Sequence, residues 1–275
     1  MNLRALAKKS TRRLEVALKR SYARVVGDRD VYYRTKYGFH IKLNLTKDVD
    51  SRFFMSSFEE ETLGVFVRML HKGFVVLDVG ANIGIYTLIA SGIIGPRGSV
   101  HAFEPADWSF NRLLDNVELN DAQNVISNKM GVSDQVGETT LFVCADDAYN
   151  SLGSRPMKDV VASKPIEVTT LDAYHRKHGL GRVDIIKIDA EGADYLVIAG
   201  AREIIARFSP TIFLEYNEYV GGFSHSAEEL VDLLSSMGYE LLCIEGGRLT
   251  RFDSGRHRNT ELIAQRNRDN NSSVR

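Results

Sequence analysis

Apolar residues in the middle of the chain alternate between short continuous runs and longer segments with helical spacing. The runs at 74–79, 183–190 and 210–217 are largely apolar, which is typical of strands buried on both faces of a parallel sheet. The segment that opens at Asp107 repeats apolar residues on one helical face. Strands that alternate with helices of this length predict an α/β fold built on a doubly wound, mostly parallel sheet.

Different elements are predicted on either side of the alternating region. Before it, the pattern predicts a hairpin over 31–45 that turns at Tyr37 and Gly38, and a helix over 56–73. After it, a capping box from Ser226 to Glu229 predicts a last helix. Three short apolar runs then predict an antiparallel end to the sheet, at 239–244, 249–252 and 261–265.

One further strand is expected over 124–133, and two more flank a loop that contains Asn150 and Ser151. We divide the chain into an extension with a helix and hairpin (1–55), a main domain (56–266) and a polar, disordered tail (267–275).

The N-terminal segment is strongly basic. Within residues 1–25 a single acid, Glu15, accompanies eight basic residues, while most leucines fall near one side of a helix. The pattern predicts an amphipathic helix and leaves two roles open. The helix lies on the body of the protein with its basic face in water, or it contacts an anionic membrane surface or another protein chain.

Composition limits the partners and the cellular compartment that we expect. The formal charge is -1 over 275 residues, which predicts no bulk attraction to nucleic acid or membrane. Cys144 and Cys243 lie far apart in apolar runs, as buried thiols of a reducing compartment do. No run approaches the roughly 18 apolar residues that a membrane span requires. We therefore expect a cytoplasmic protein.

The first strand-to-helix turn of the alternating region, from Asp78 to Gly84, has the best-defined chemistry. Gly80 and Gly84 allow a tight turn and close helix packing, at the edge where doubly wound sheets bind ligands. A dinucleotide fingerprint needs a glycine in the middle of this turn, where the chain has Asn82. Asp78 adds negative charge where a pyrophosphate would lie. The turn favours a cationic ligand without phosphate.

Glu104 ends the following strand, 24 residues after Gly80. An acid about 20 residues beyond such a turn usually accepts hydrogen bonds from ribose hydroxyls. S-Adenosylmethionine has a ribose, a positive charge and no phosphate, and we predict it as the cofactor. Asp78 would attract its amino-acid end, and Glu104 would hold its ribose. Acids at strand ends also cap helices and form turns, so a purely structural role is the alternative.

Several motifs together resemble one protein family. They are VVLDVGANIGIYT at 75–87, VHAFEP at 100–105, VDIIKIDAEGADYLVIAGA at 183–201 and PTIFLEYN at 210–217. In combination, over roughly residues 55–240, they resemble the FkbM family of S-adenosylmethionine-dependent methyltransferases. The resemblance implies a Rossmann-like class I methyltransferase fold. It also implies O-methylation of hydroxyls on sugars or natural products as the activity.

The resemblance also assigns residues. It implies that six residues lie at the cofactor: Asp78, Gly80, Asn82, Gly84, Glu104 and, near the adenine, Asp134. The sequence around Asp134 would also suit an ordinary turn. Ala190 and Asp194 stand where family members commonly have Val and Glu, and these changes keep the acidic character of the motif.

Transfer to a hydroxyl calls for a base, because the oxygen is a poor nucleophile until its proton leaves. Asp189 and Glu191 follow one buried strand and Glu215 lies in the next, so all three belong near the carboxyl ends of central strands. We predict Asp189 as the base and Glu191 as the group that orients it or the substrate. Lys187 shares the strand face of Asp189, and His225 lies in the next loop.

Alternatives to these roles stay open. In a purely structural alternative, Asp189 and Glu191 merely cap the helix that begins near Ala193, and Lys187 pairs with an acid. Oxygen ligands at Asp189, Glu215 and Asn217 would suit a magnesium-type ion, but no closely spaced ligand motif supports one and no metal is predicted.

Two other functions are weighed against methyl transfer. A nicotinamide-dependent oxidoreductase is disfavoured by Asn82 and Asp78, and a noncatalytic binding module would act through the basic N-terminal helix. No [DN]-P-P-[FYW] motif follows the fourth strand, which argues against amines of nucleic-acid bases as acceptors. We expect a small-molecule or glycan hydroxyl as the acceptor and no nucleic-acid partner.

Overall fold

A computed structural model describes residues 3–144, 151–152, 160–217 and 225–266, with side chains described from Glu15 onward except at 151–152. The chain forms two compact units, Met1–Glu60 and Glu61–Arg275. Asn150 and the predicted tail at 267–275 lie outside the described residues. The predicted domains, 1–55 and 56–266, stay a prediction.

The smaller unit contains a long helix, a hairpin and a short helix. These elements are α1 (Leu3–Val26), β1 (Asp30–Arg34), β2 (His40–Asn44) and α2 (Asp48–Phe54). The strands β1 and β2 pair antiparallel, and Gly38 takes the left-handed φ of +94° that the turn requires. The predicted hairpin is therefore confirmed.

The helix predicted over 56–73 is confirmed with narrower bounds as α3 (Glu60–Met69), and α2 ends before it at Phe54. Between α2 and α3, Ser56 and Glu59 adopt positive φ angles of 56° and 38°. Because left-handed residues cannot continue a right-handed helix, α3 begins only after Glu59, four residues later than the apolar periodicity indicates.

The larger unit alternates strands and helices and ends in three strands. Its further elements are β3 (Val75–Val79), α4 (Ile85–Ile94), β4 (Ser99–Phe103), α5 (Asp107–Leu119), β5 (Val125–Asn128), β6 (Gly131–Val132), β7 (Gly137–Cys144), β8 (Ser151–Leu152), β9 (Val160–Thr169), α6 (Leu171–His178), β10 (Ile185–Ile188), α7 (Asp194–Ala199), α8 (Arg202–Phe208), β11 (Thr211–Asn217), α9 (Ala227–Ser236), β12 (Tyr239–Glu245), β13 (Arg248–Arg251) and β14 (Asn259–Arg266).

The main sheet has the strand order β13-β12-β14-β11-β10-β3-β4-β5. Strands β11, β10, β3, β4 and β5 run parallel, while β14, β12 and β13 pair antiparallel at the other end. The predicted fold class is confirmed: a Rossmann-like, doubly wound α/β sheet, mostly parallel, with an antiparallel C-terminal edge. The chain order reverses between β3 and β10, so the carboxyl ends of these strands form the expected ligand crevice.

A second, four-stranded sheet has the order β6-β9-β7-β8. The single strand predicted over 124–133 is therefore wrong, because it divides between the two sheets. Strand β5 pairs with β4 in the main sheet, whereas Gly131 and Val132 pair with β9. The glycine marks the point where the chain leaves one sheet for the other.

Apolar side chains between the main sheet and α6–α9 form a large core of the unit. Ile186, Ile198, Ile204, Leu214 and Leu234 are all fully buried there. The capping box begins α9 as predicted, since the Ser226 hydroxyl accepts from the Glu229 N–H and the Glu229 carboxylate from the Ser226 N–H. Within the described part of the chain, no helix is long and apolar enough to cross a membrane.

Candidate active site

The turn after β3 passes directly over the end of β10. Gly80 has a φ of +75°, and a Cβ built on it would lie 1.9 Å from the backbone carbonyl oxygen of Asp189. The N–H groups of Gly80 and Ala81 both donate to the Phe103 carbonyl at 3.0 Å, which ties the turn to β4 as well. Only a residue without a side chain permits this approach, so Gly80 holds the ends of three strands together.

The rest of the turn brings Asn82 to Glu104 and begins α4. Asn82 adopts a left-handed φ of 48°, and its N–H donates to Glu104 Oε2 at 2.9 Å. Gly84, with a φ of 94°, precedes α4 and packs so closely on α5 that a Cβ would lie 2.7 Å from Leu113 Cδ1. The two glycines therefore serve close packing, and Asn82 couples the turn to the acid at the end of β4.

Glu104 is buried and its two carboxylate oxygens accept from different backbone groups. Oε2 accepts from Asn82 and Oε1 from the Ala106 N–H at 2.8 Å. Burial raises the pKa of Glu104 to about 7, although these two hydrogen bonds act in the opposite direction. The carboxylate is thus fixed in place and keeps lone pairs for a ligand hydroxyl.

A buried lysine faces the carboxylate that we predicted as the base. Lys187 Nζ lies 3.4 Å from Asp189 Oδ2, and the lysine side chain is 3% exposed against 35% for that of Asp189. The ammonium also lies 4.8 Å from the centroid of the Tyr86 ring. In the sheet Lys187 stands in register with Asp78 of β3. Lys187 and Asp189 therefore share one face of the strand, as predicted. The ion pair between them also confirms the expectation that Lys187 pairs with an acid.

Two further acids crowd the same strand end. Burial, with the nearby charges of Asp189, Glu215 and Asp194, raises the pKa of Glu191 to about 9. Burial and the charge of Asp189 raise the pKa of Asp194 to about 6, and its Oδ1 has no hydrogen-bond partner. Glu191 also has a strained φ of +46°. At neutral pH Glu191 therefore carries a proton and can donate a hydrogen bond.

A cleft that is partly open to solvent lies at the carboxyl ends of β3, β4 and β10. Five of the predicted site residues line it: Gly80, Asn82, Glu104, Asp189 and Glu191. Three of the five are carboxylic acids, which suits a cationic ligand.

The other four predicted residues do not line the cleft. Asp78 is buried beneath the turn, where Thr87 Oγ1 donates to its Oδ2 at 2.5 Å, and burial raises its pKa to about 6. Gly84 packs on α5 as described. Asp134 accepts from the Ser133 hydroxyl beyond β6, and Glu215 is exposed on β11. Asp78 and Glu215 still act on the site through charge, while the adenine contact of Asp134 stays a prediction.

Sequence reasoning missed an apolar wall of the cleft. Met130, Gly131, Val132 and Leu141 line it from β6 and β7 of the second sheet. The pattern over 124–133 predicted one strand, so the division of this segment between two sheets, and with it the apolar wall, was not predicted. Gly131 was the available signal, since an isolated glycine in a strand pattern often marks a break. Among the described residues, no group of three or more His, Cys, Asp or Glu side chains is arranged to hold a metal ion.

Comparison with known proteins decides the family. The sequence pattern of the methyltransferase FkbM domain matches residues 78–241, which is more than half of the chain. The chain belongs to the FkbM methyltransferase family. The predicted resemblance is confirmed, and the coarse function is that of an S-adenosylmethionine-dependent methyltransferase.

Individual relatives of this FkbM-family methyltransferase are distant. "Methyltransferase 1" of Beauveria bassiana is 26% identical over 184 residues, which cover 60% of this chain and 71% of the fungal protein. The 31-O-demethyl-FK506 methyltransferase FkbM of Streptomyces tacrolimicus is 26% identical over 204 residues, or 63% of this chain and 75% of the relative.

A crystal structure of methyltransferase FkbM from Methylobacillus flagellatus aligns with 17% identity and a TM-score of 0.44. The alignment covers 78% of this chain but only 52% of that one, so the chain spans about half the length of this solved relative.

Proposed function

We propose that this FkbM-family methyltransferase transfers a methyl group from S-adenosylmethionine to a hydroxyl oxygen of a sugar, glycan or natural product. The observation that carries the proposal is the cleft itself. A base candidate, Asp189, lies on the same small cleft as Glu104 and Asn82 of the cofactor turn. The arrangement supports chemistry in which a cationic donor and a neutral acceptor meet next to a carboxylate.

The residues present fit the cofactor. Glu104 has spare lone pairs for ribose hydroxyls, and Gly80 and Asn82 of the adjoining turn line the same cleft. The carboxylate of Asp189 offers favourable charge to a sulfonium group. When bound, S-adenosylmethionine supplies an electrophilic methyl group. The protein then has to align the acceptor, exclude water and remove a proton.

Asp189 is the group we assign to proton removal. Its Oδ2 is oriented by Lys187, and about a third of the side chain is exposed, so an acceptor hydroxyl can reach it. Asp189 would accept the hydroxyl proton of the acceptor while the methyl group leaves the sulfonium sulfur for the acceptor oxygen, a transfer that would leave a neutral thioether. Glu191, protonated at neutral pH, donates a hydrogen bond to the acceptor or to Asp189 rather than acting as the base.

The choice of a hydroxyl acceptor rests on two supports. A carboxylate base activates a neutral hydroxyl, which ordinarily keeps its proton at neutral pH. In addition, the Streptomyces relative is named for an O-demethyl substrate. A cytoplasmic location is also proposed, since Cys144 and Cys243 are buried thiols.

Two variants separate cofactor binding from catalysis. Glu104→Ala should abolish detectable S-adenosylmethionine binding in isothermal titration. Asp189→Asn should keep measurable binding, weakened by the lost charge, and lose about 10² to 10⁴ in turnover, the usual contribution of a positioned base. The matched control, Asp232→Asn, removes an exposed carboxylate on α9 and should change neither quantity.

Turnover is measured as a mass gain of one methyl group in glycan and metabolite pools. Unchanged affinity in the Glu104→Ala variant would sink the cofactor assignment, and full activity in Asp189→Asn would sink the base. Titration with a nicotinamide cofactor tests the oxidoreductase alternative, which family membership already disfavours.

A further inference from the structure

Helix α1 exposes an apolar stripe rather than burying it. Leu18, Tyr22 and Val25 are 63%, 49% and 76% exposed, and their spacing of four and three residues places them on one side of the helix. Tyr32 on β1 of the same unit is 67% exposed. Three large apolar side chains in a row are unusual on a helix surface that meets only water.

The side of α1 that packs is different and includes a basic residue. Val16, Lys19, Ala23 and Val26, again at helical spacing, are partly buried. Lys19 Nζ donates to the Phe54 carbonyl at 2.8 Å and pairs with Glu15 at 3.2 Å. Within the stripe, Tyr22 lies beside Phe54, with ring centroids 6.0 Å apart, and stays half exposed. The helix therefore packs mainly through its other side, and the exposed part of the stripe, above all Leu18 and Val25, is available to something outside the unit.

Charge indicates what that partner is. Residues 1–25 carry eight basic side chains against the single acid Glu15. Among those with described side chains, Arg20 and Arg24 are exposed. An apolar stripe on a basic helix matches the surface of an anionic bilayer, where apolar groups enter the headgroup region and basic groups meet lipid phosphates. We propose that α1 docks the protein on anionic membrane surfaces.

This assignment is independent of the methyl-transfer proposal, because none of its residues lies in the unit that carries the cleft. In this proposal the basic N-terminal segment places the protein at a membrane and takes no part in methyl transfer. An acceptor held at a membrane would then meet the enzyme at a raised local concentration.

Vesicle co-sedimentation of the full chain tests the proposal. Binding is expected to vesicles of phosphatidylcholine mixed with phosphatidylserine, to be absent with phosphatidylcholine alone, and to weaken with added salt. The Leu18→Gln/Val25→Gln double variant keeps good helix formers and should bind about tenfold more weakly or worse. Arg20→Glu/Arg24→Glu should weaken binding by at least about fivefold per residue.

Val136→Thr/Val161→Thr is the matched control, because these valines of the larger unit are 66% and 64% exposed. It should bind like the unaltered protein. Circular dichroism melts check that each variant folds. Failure to bind anionic vesicles, or binding that ignores the stripe substitutions, overturns the proposal. A dimer in sedimentation equilibrium that dissociates on Leu18→Gln/Val25→Gln also overturns it, because a second copy of the chain would then cover the stripe.

Discussion

Gly80→Ala tests the close approach between the cofactor turn and β10. The substitution adds one methyl group at a position with a φ of +75°, 1.9 Å from the Asp189 carbonyl oxygen and 2.8 Å from the carbonyl carbon. Both contacts are with backbone, so no side-chain rotation relieves them. Either the turn or the end of β10 has to move.

The expected loss has two parts. A left-handed conformation costs a non-glycine residue about 1 to 2 kcal/mol. Overpacking against fixed atoms adds about 1 to 3 kcal/mol. We therefore expect the free energy of unfolding to fall by roughly 2 to 5 kcal/mol. A displaced Asp189 should also weaken cofactor binding in whatever protein remains folded.

Gly179→Ala provides the matched control for this prediction. Gly179 ends α6 with a φ of +61°, and nothing lies within 4 Å of a Cβ built there. It should lose only the conformational part, about 1 to 2 kcal/mol. Urea unfolding of both variants at equal denaturant slope measures the difference. Equal losses would show that Gly80 serves the backbone angle alone and that the close approach does not constrain the residue.

Three other substitutions probe charge and capping. Lys187→Met removes the cation beside Asp189, so turnover should fall and its pH profile should change shape; an unchanged profile would contradict the orienting role. As the pH rises from about 4.5 to 9, the unaltered protein should lose stability, because the folded chain keeps a proton on Glu191 that the unfolded chain releases. The Glu191→Gln variant has no such proton and should lose less stability over the same range. Urea melts across this range test the difference, whose limiting slope is about 1.4 kcal/mol per pH unit. Ser226→Ala removes the cap of α9 and should cost about 1 kcal/mol in the same melts, whereas no loss would mean that water replaces the cap.

The local sequence pattern predicts which residues of the site lie at the carboxyl ends of strands. Glu104 and Asp189 reach one cleft because parallel strands bring their carboxyl ends to the same edge of a sheet. Neither the pairing of Lys187 with Asp78 across strands nor the burial of Asp78 follows from local spacing. Both depend on which strands are neighbours and in which register.

The apolar wall of the cleft was missed for the same reason, because local spacing does not show which strands are neighbours. Strands β6 and β7 belong to a second sheet, and nothing in a run of alternating residues says which sheet it joins. The late start of α3, after Ser56 and Glu59, has a different cause, since polar residues with positive φ leave the apolar period intact.

The crowding of acids around one lysine has a consequence for proton exchange. Glu104 and Glu191 hold their protons near and above neutral pH, and a cation entering the cleft favours their charged forms. Cofactor binding should therefore expel protons into the buffer and tighten as the pH rises, since the two equilibria are reciprocally linked. In the proposed mechanism Asp189, the partly exposed member of the cluster, returns the proton of each turnover to water. That mechanism would make the cleft a proton-coupled site that resets through one carboxylate.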